Sequence, residues 1–376
     1  MFKMIIGSDI VPTETNFDLF EKADVETLAG KELLDILNEA DFRAFNLETP
    51  ICDKEDPIPK YGPCLMVPLR AIPGIKAFNP DMLLLANNHI LDQGQQGLKS
   101  TLEVLDEWKI PYMGAGKNLA EAGKPRIIEA DGKKIGFYNA AEHEFTIATE
   151  EKGGAFPFDF LNGPDEIAKL KEECDYVIVF YHAGKEHYRY PSPNLKKVCR
   201  KMVDKGADFV ICQHTHCVGC MEEYNGATIV YGQGNFLFDH SEREEWQTSI
   251  LARLQIDDKI RVDYIPICKD GNKVRLANED EAKEIMEGFY RRTEEIKIPG
   301  VIEEKYKECC KVFEKWYLYC MAGGEARTGE TSADFSTEYP VGSLLAMINY
   351  FTCEPHLETL TTIAYELARE KLGDRI

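Results

Sequence analysis

The run Leu83-Leu84-Leu85-Ala86-Asn87-Asn88-His89-Ile90-Leu91-Asp92-Gln93-Gly94 decides how the chain is read. An apolar segment the length of one buried strand empties into Asn87, Asn88, His89, Asp92 and Gln93, and a helix-like pattern begins at Gln95. In α/β proteins ligands gather at such junctions, where loops after the strands hold polar side chains over a rigid sheet. Three other strand-like runs end the same way: 42–45 into Asn46-Leu47-Glu48, 176–181 into His182, and 209–212 into Gln213-His214-Thr215-His216. A first strand over 2–6 runs into Gly7-Ser8-Asp9, which places Asp9 at a strand end as a ligand or a turn residue.

Working outward, helices are expected over 30–40, 71–78, 97–108, 164–173 and 193–205, alternating with the strands. Residues 126–129 and 135–138 read as a hairpin turned by Asp131-Gly132, and from Val218 onward short strands follow, one pair turned by Asn225-Gly226. The proline-rich stretch 49–68 forbids regular structure and marks a long loop that borders the site, because it starts directly after Glu48. After Lys269 the character shifts to helices over 280–293, 303–321, 341–351 and 357–372, separated by a Gly/Ser/Thr/Glu-rich stretch at 322–339 and carrying no evident chemistry. The fold class is therefore α/β (α+β), with a chemistry-bearing unit over 1–269 and a helical C-terminal extension over 270–376.

Composition limits the partners. The 376 residues carry a formal charge of −21, which disfavours nucleic acid over most of the surface. One local basic run, from Lys185 and Arg189 to Lys196, Lys197, Arg200 and Lys201, could meet an anionic partner. No apolar run approaches the roughly 20 residues of a membrane span, and Met1-Phe2-Lys3-Met4 leads straight into a core strand, so a cytoplasmic location without signal peptide or anchor is expected. Twelve scattered cysteines in a chain of this length indicate reduced thiols. Cys217-Val218-Gly219-Cys220 has the spacing of half a zinc knuckle, but no second pair accompanies it.

Singly, the polar residues at the strand ends have ordinary explanations: Asn88 as a turn residue, Glu48 as a loop carboxylate. Together they have the make-up of a hydrolytic metal centre, in which side chains converge from several strands and two ions sit about 3.5–4 Å apart. The set is Asp9, Glu48, Asn88, His182, His214 and His216, and four of the eight histidines directly follow strand-like runs. The chain resembles the capsule-synthesis CapA family, associated with poly-γ-glutamate, in Asn46-Leu47-Glu48, Asn87-Asn88-His89 with Asp92 and Gly94, His182-Ala183-Gly184, His214-Thr215-His216 and Gly232-Gln233-Gly234-Asn235-Phe236. That family is similar in fold and motif order to the calcineurin-like metallophosphoesterases, and the resemblance implies a β-sandwich flanked by helices over about residues 4–239.

The same resemblance implies that Glu48 bridges two divalent ions, that Asp9 and His216 bind the first, and that Asn88, His182 and His214 bind the second. His89 takes the place of a general acid, with Asp92 beside it. One or two ions of manganese, iron or zinc suit this donor set equally. Two departures stand out: Asp9 is followed by Ile10-Val11, where phosphoesterases have Asp-x-His, and Glu48 stands where they have Asp. His187, Arg189 and Asn235 are candidates for substrate binding, and Asp239 and His240 for the rim of the pocket. The leading expectation is a metal-dependent hydrolase of a phosphoester or related anionic bond, with a metal-activated hydroxide as nucleophile. Poly-γ-glutamate biosynthesis or processing is the alternative, and a non-catalytic metal- or ligand-binding module the second. The substrate is a small anionic molecule or a polymer.

Overall fold

The computed structural model describes residues 1–321 and 340–372; the polar stretch 322–339 of the sequence reading lies outside them. Two sheets face each other. In the first, Phe2–Val11 is central, antiparallel to Thr248–Ile256 on one side and parallel to Phe42–Leu47 on the other. Met82–Leu84 and Tyr112–Met113 extend it in parallel, Ile260–Asp270 and Lys273–Leu276 close the other edge, and Asn235–Phe238 adds to the end of Phe2–Val11. The second sheet has the order Met221–Tyr224, Ala227–Val230, Phe209–Gln213, Tyr176–His182, Lys133–Ala141, Arg126–Ala130, parallel at its centre and antiparallel at its edges.

The two-residue alternation of a strand explains why the apolar runs are nearly continuous. Met4, Ile6, Ala44 and Leu84 face Phe137, Ile178, Phe180 and Ile211 between the sheets. Ile5, Phe45, Leu83 and Leu85 point outward into a second core under the helices Lys31–Asn38, Ile72–Ala77 and Gly94–Glu107. Val177, Val179, Tyr181 and Val210 do the same beneath Gly163–Glu173 and Pro193–Asp204. Each large side chain buried in this way contributes about 1.5–3 kcal/mol. The expected helix-flanked β-sandwich is the architecture observed.

The first strand runs to Val11 rather than ending near Ile6, so Asp9 lies inside a strand and not in a turn after one. Ile6 stands opposite Ala44 but Asp9 opposite Asn46, one residue more on the first strand than on its neighbour. Such a bulge reverses the alternation, so that Asp9 shares the inter-sheet side with the even-numbered Met4 and Ile6. Gly7 permits it: a Cβ there would lie 2.2 Å from the Phe45 ring.

Asp131-Gly132 and Asn225-Gly226 turn their hairpins with positive φ at both central residues, the backbone those dipeptides favour. The first sheet continues through Lys273–Leu276, and helix Glu279–Glu295 packs Ile285 and Phe289 into the inter-sheet core, so the sandwich extends past residue 269. Helices Val301–Met321, Val341–Thr352 and Glu354–Leu372 share a separate core of Tyr306, Cys310, Ala346, Tyr350 and Ile363, which also takes in Tyr188 from the loop after His182. No described helix is long and apolar enough to cross a membrane. Eleven cysteines are free thiols, and neither Cys217 nor Cys220 belongs to a donor cluster among the described residues.

Candidate metal centre

The alternation that buries Phe42, Ala44, Ile178 and Phe180 between the sheets carries Asn46, Glu48 and His182 to the same side at the strand ends. Phe209–Gln213 delivers the remaining imidazoles through a bend: His214 has φ 87° and His216 φ 52°, both in the left-handed region that costs non-glycine residues about 1–3 kcal/mol. The bend brings the His214 ring to 4.9 Å from His182 and 6.1 Å from His216, centroid to centroid. Beneath them a layer of amides ends the apolar core. Gln213 Nε2 donates to the Gly7 carbonyl at 3.1 Å, Gln233 Nε2 to that of Ile6 at 3.0 Å, and Asn87 Nδ2 to that of Leu47 at 2.9 Å.

Two donor groups share Glu48: Asp9, Glu48 and His216 form one, and Glu48, His182 and His214 the other, with one ligand atom from each residue lying within 4.8 Å of the rest. Glu48 Oε1 lies 3.3 Å from His182 Nε2 and 3.9 Å from His216 Nε2. Asn88 Oδ1 is 3.0 Å from His182 Nε2, at the edge of the second group. His216 Nδ1 pairs with Asn235 Oδ1 at 2.8 Å, and Asn46 Nδ2 donates to Asp9 Oδ1 at 2.6 Å. These contacts orient the ring and the carboxylate from behind, as partners of metal-binding side chains do.

The residues present fit a divalent ion. Glu48 is fully buried, yet neither of its carboxylate oxygens has a hydrogen-bond partner; Asp9 Oδ2 and His214 Nδ1 share that condition. Leaving a buried carboxylate unpaired costs several kcal/mol, and a cation lined by carboxylates and imidazoles removes that cost. The electrostatics carry the same tension. Burial and the Asp9 charge push the Glu48 carboxyl well above its ordinary range. Burial lowers the imidazoles of His182, to about 3, and His214, which keeps both neutral and able to ligate. At His216 burial is outweighed by Glu48 and Asp9, which raise it to about 10.

His89 and Asp92 form a pair beside this cluster. His89 Nδ1 lies 2.5 Å from Asp92 Oδ2, while Asp92 Oδ1 meets the buried Lys60 ammonium at 2.5 Å. A carboxylate can only accept, so Nδ1 carries the proton and Nε2 is left with its lone pair. Burial and the Lys60 charge lower His89 to about 4. Lys60 comes from the proline-rich loop, whose Leu65 N–H also donates to Asp92 at 2.6 Å; that loop therefore borders the site.

A cavity of about 260 Å³ opens onto His89, Asn88 and His216. His187 and His240 line it together with Arg243 and Trp246; Trp246 Nε1 donates to His187 Nε2 at 3.2 Å, and its ring lies 4.5 Å from that of His216. Arg189 is placed elsewhere, directed to the Val218 carbonyl at 3.4 Å and to Glu244. Asn235 braces His216 and does not line the cavity, and Asp239 pairs with Lys269 at 2.9 Å. The basic run is dispersed: Lys185 is buried over the Phe313 ring, Arg200 pairs with Glu222, and Lys196 donates to the Ile296 carbonyl at 3.1 Å, while Lys197 and Lys201 stay exposed.

Sequence reasoning left four nearby residues without a role. Ala141 pairs with His182 across the second sheet, which sets Glu142 beside the cluster: its Oε1 is 3.3 Å from His214 Nε2, and its Oε2 accepts from the Gly184 N–H at 3.1 Å. Glu142 and Glu144 join His214 in a further donor group, and Glu144 joins Cys353 and His356 in another. Burial and their mutual repulsion raise Glu142, and burial raises Glu144 to about 7. The tail, read from sequence as free of chemistry, thus contributes a thiol and an imidazole. No local signal announces this, since Cys353 and Glu142 are 211 positions apart.

The model of the family described as bacterial capsule synthesis protein PGA_cap matches residues 7–240. The chain is 30% identical to the PGA biosynthesis protein CapA of Bacillus subtilis (strain 168), over 54% of this chain and 55% of that one. It is 32% identical to the capsule biosynthesis protein CapA of Bacillus anthracis, over 52% and 49%. It spans about half the length of these curated relatives. Among solved structures, a novel phosphatase of Mycoplasma pneumoniae is similar at 16% identity and a TM-score of 0.44, over 72% of this chain and 94% of that one.

Proposed function

This chain belongs to the bacterial capsule synthesis protein family PGA_cap, and on that premise we propose that it is a divalent-metal-dependent hydrolase of a phosphoester or related anionic bond. The observation that carries the reading is Glu48, buried between two imidazole-containing donor groups with both carboxylate oxygens unpaired. Asp9 and His216 hold the first position, and His182, His214 and Asn88 the second. When bound, such an ion supplies Lewis acidity, which lowers the pKa of water and offsets charge on an anionic substrate.

The chain's own residues do the rest. Asp92 fixes the His89 tautomer, and burial together with the Lys60 charge keeps that ring neutral at rest, with the Nε2 lone pair facing the cluster side. Once protonated from solvent, Nε2 gives that proton to the leaving oxygen, on the side of the bond away from the attacking water. Arg243, His187 and His240 on the cavity wall orient the anionic group, and the Trp246 ring limits water on that side.

A second reading follows from the names of the relatives: the anionic substrate is poly-γ-glutamate, and the bond is its γ-amide. One experiment separates the readings. Protein purified without chelator is assayed on a phosphomonoester, a phosphodiester and a γ-glutamyl peptide, with and without added Mn²⁺, Fe²⁺ or Zn²⁺. Metal-dependent turnover of a phosphoester supports the first reading and turnover of the γ-glutamyl bond the second. Full metal occupancy without turnover of any of the three favours a binding module.

A further inference from the structure

We infer that the C-terminal helices complete a separate site for a thiophilic divalent ion of the zinc class, held by Cys353, His356 and Glu144. The inference does not depend on the hydrolase reading, because none of these three residues belongs to the Glu48 groups.

The three donors arrive from different elements and come within 4.8 Å of one another. Glu144 follows strand Lys133–Ala141, Cys353 joins helices Val341–Thr352 and Glu354–Leu372, and His356 lies in the first turn of the second helix. Cys353 is completely buried, and its Sγ lies 3.7 Å from Glu142 Oε1 and 3.7 Å from Glu144 Oε1. A structural thiol is ordinarily packed against apolar groups; one held between two carboxylates is in surroundings that a cation, and not a hydrophobic side chain, would stabilise. His356 is oriented from behind: its Nδ1 meets the Tyr317 hydroxyl at 2.5 Å and its ring lies 5.6 Å from that of Tyr350, inclined by 27°, which leaves Nε2 as the free nitrogen.

A second observation points to a ligand here. Asn349 is 2% exposed and lines the same cavity as Glu144 and His356, yet its Oδ1 has no hydrogen-bond partner among the described residues. Asn349 and Cys353 stand one turn apart, joined by the Cys353 N–H to Asn349 carbonyl bond of 2.9 Å, and His356 follows in the first turn of the next helix after the extended backbone of Cys353. Asn349 therefore offers a fourth oxygen. Thiolate, imidazole, carboxylate and amide together select zinc over magnesium or calcium, which prefer all-oxygen shells. A bound ion would fasten the tail to the loop after Lys133–Ala141.

The test loads the full chain with Co²⁺ as a spectroscopic stand-in for zinc. Wild type should show a thiolate-to-cobalt charge-transfer band in the near ultraviolet. Cys353→Ser should lose that band and one metal equivalent per chain, while its circular dichroism and the remaining metal are unchanged. Should Cys353→Ser fail to fold, His356→Gln keeps the thiol and should weaken binding of the same equivalent by about tenfold or more. Glu48→Gln should leave the band in place, so failure of the two-ion centre is read separately. A cobalt-loaded wild type without the band would overturn the inference. So would a folded Cys353→Ser that keeps both band and metal, or a His356→Gln that binds as tightly as wild type.

Discussion

The donors on the two sides of His214 are built differently. Toward Glu48 every residue comes from a strand of the sandwich or the turn directly after one, and imidazoles outnumber carboxylates: His182, His214 and His216 against Asp9 and Glu48. Toward the tail the balance reverses, with Glu142 and Glu144 supplied by a loop and Cys353 and His356 by helices outside both sheets. The first side is held by register and alternation, which tolerate little movement. The second depends on docking of the tail, through His143 N–H to Glu354 at 2.8 Å and Asn194 N–H to Glu358 at 2.8 Å. The chemistry proposed for the chain belongs to the first side, and attachment of the tail to the second.

The largest effect that would break this contrast concerns the shared carboxylate. Glu48→Gln should empty both sandwich positions and reduce turnover by about 10⁴-fold, because the Lewis acidity it removes is worth several kcal/mol. Metal analysis and steady-state kinetics on one preparation would check it; retained turnover would move the chemistry elsewhere. Next is His89→Ala, which should keep the metal and lose about 10²-fold or more on esters with poor leaving groups, with a smaller loss on a nitrophenyl ester that needs no proton. Equal losses on both substrates would assign His89 to support of the loop around Lys60 and Asp92.

How far the contrast was legible in the sequence follows from the same physics. Strand ends announce themselves locally, so Glu48, Asn88, His182, His214 and His216 could be picked out from apolar runs that stop at polar residues. Asp9 was found for a partly wrong reason, because the Gly7 bulge that turns it inward is a property of pairing with Phe42–Leu47 and of the Phe45 ring. Lys60 was hidden within a loop identified only by its prolines. Cys353 and His356 look like ordinary helix residues, and only tertiary packing brings them to Glu144. Arg189 and the basic run show the converse, since neighbouring charges on a sequence need not share a surface.

A subtler effect sharpens the comparison within the first side. Asn235→Ala removes the brace on His216 Nδ1 and should weaken metal binding at the Asp9 position by about 10–100-fold while the His182 position is unaffected. Competition with a chromophoric chelator would resolve the two affinities. The smallest effect belongs to the frame. Glu222 accepts from Arg200 and, at 3.0 Å, from the Tyr231 hydroxyl; burial opposes its charge, but these partners hold its carboxyl below the ordinary value of 4.5. Its contribution is therefore complete above about pH 4.5 and is lost as pH falls through the lowered value, about 1 kcal/mol in all. Denaturant melts of wild type and Glu222→Gln should differ at neutral pH and converge in acid.

Anomalous diffraction from crystals grown with manganese or zinc tests the central claim most directly, since it locates ions without reference to activity. Two peaks should flank Glu48, one within about 2.0–2.6 Å of ligand atoms of Asp9 and His216 and the other at the same range from His182 and His214. Peaks that avoid Glu48, or a Glu48 carboxylate hydrogen-bonded to water with no ion beside it, would contradict it.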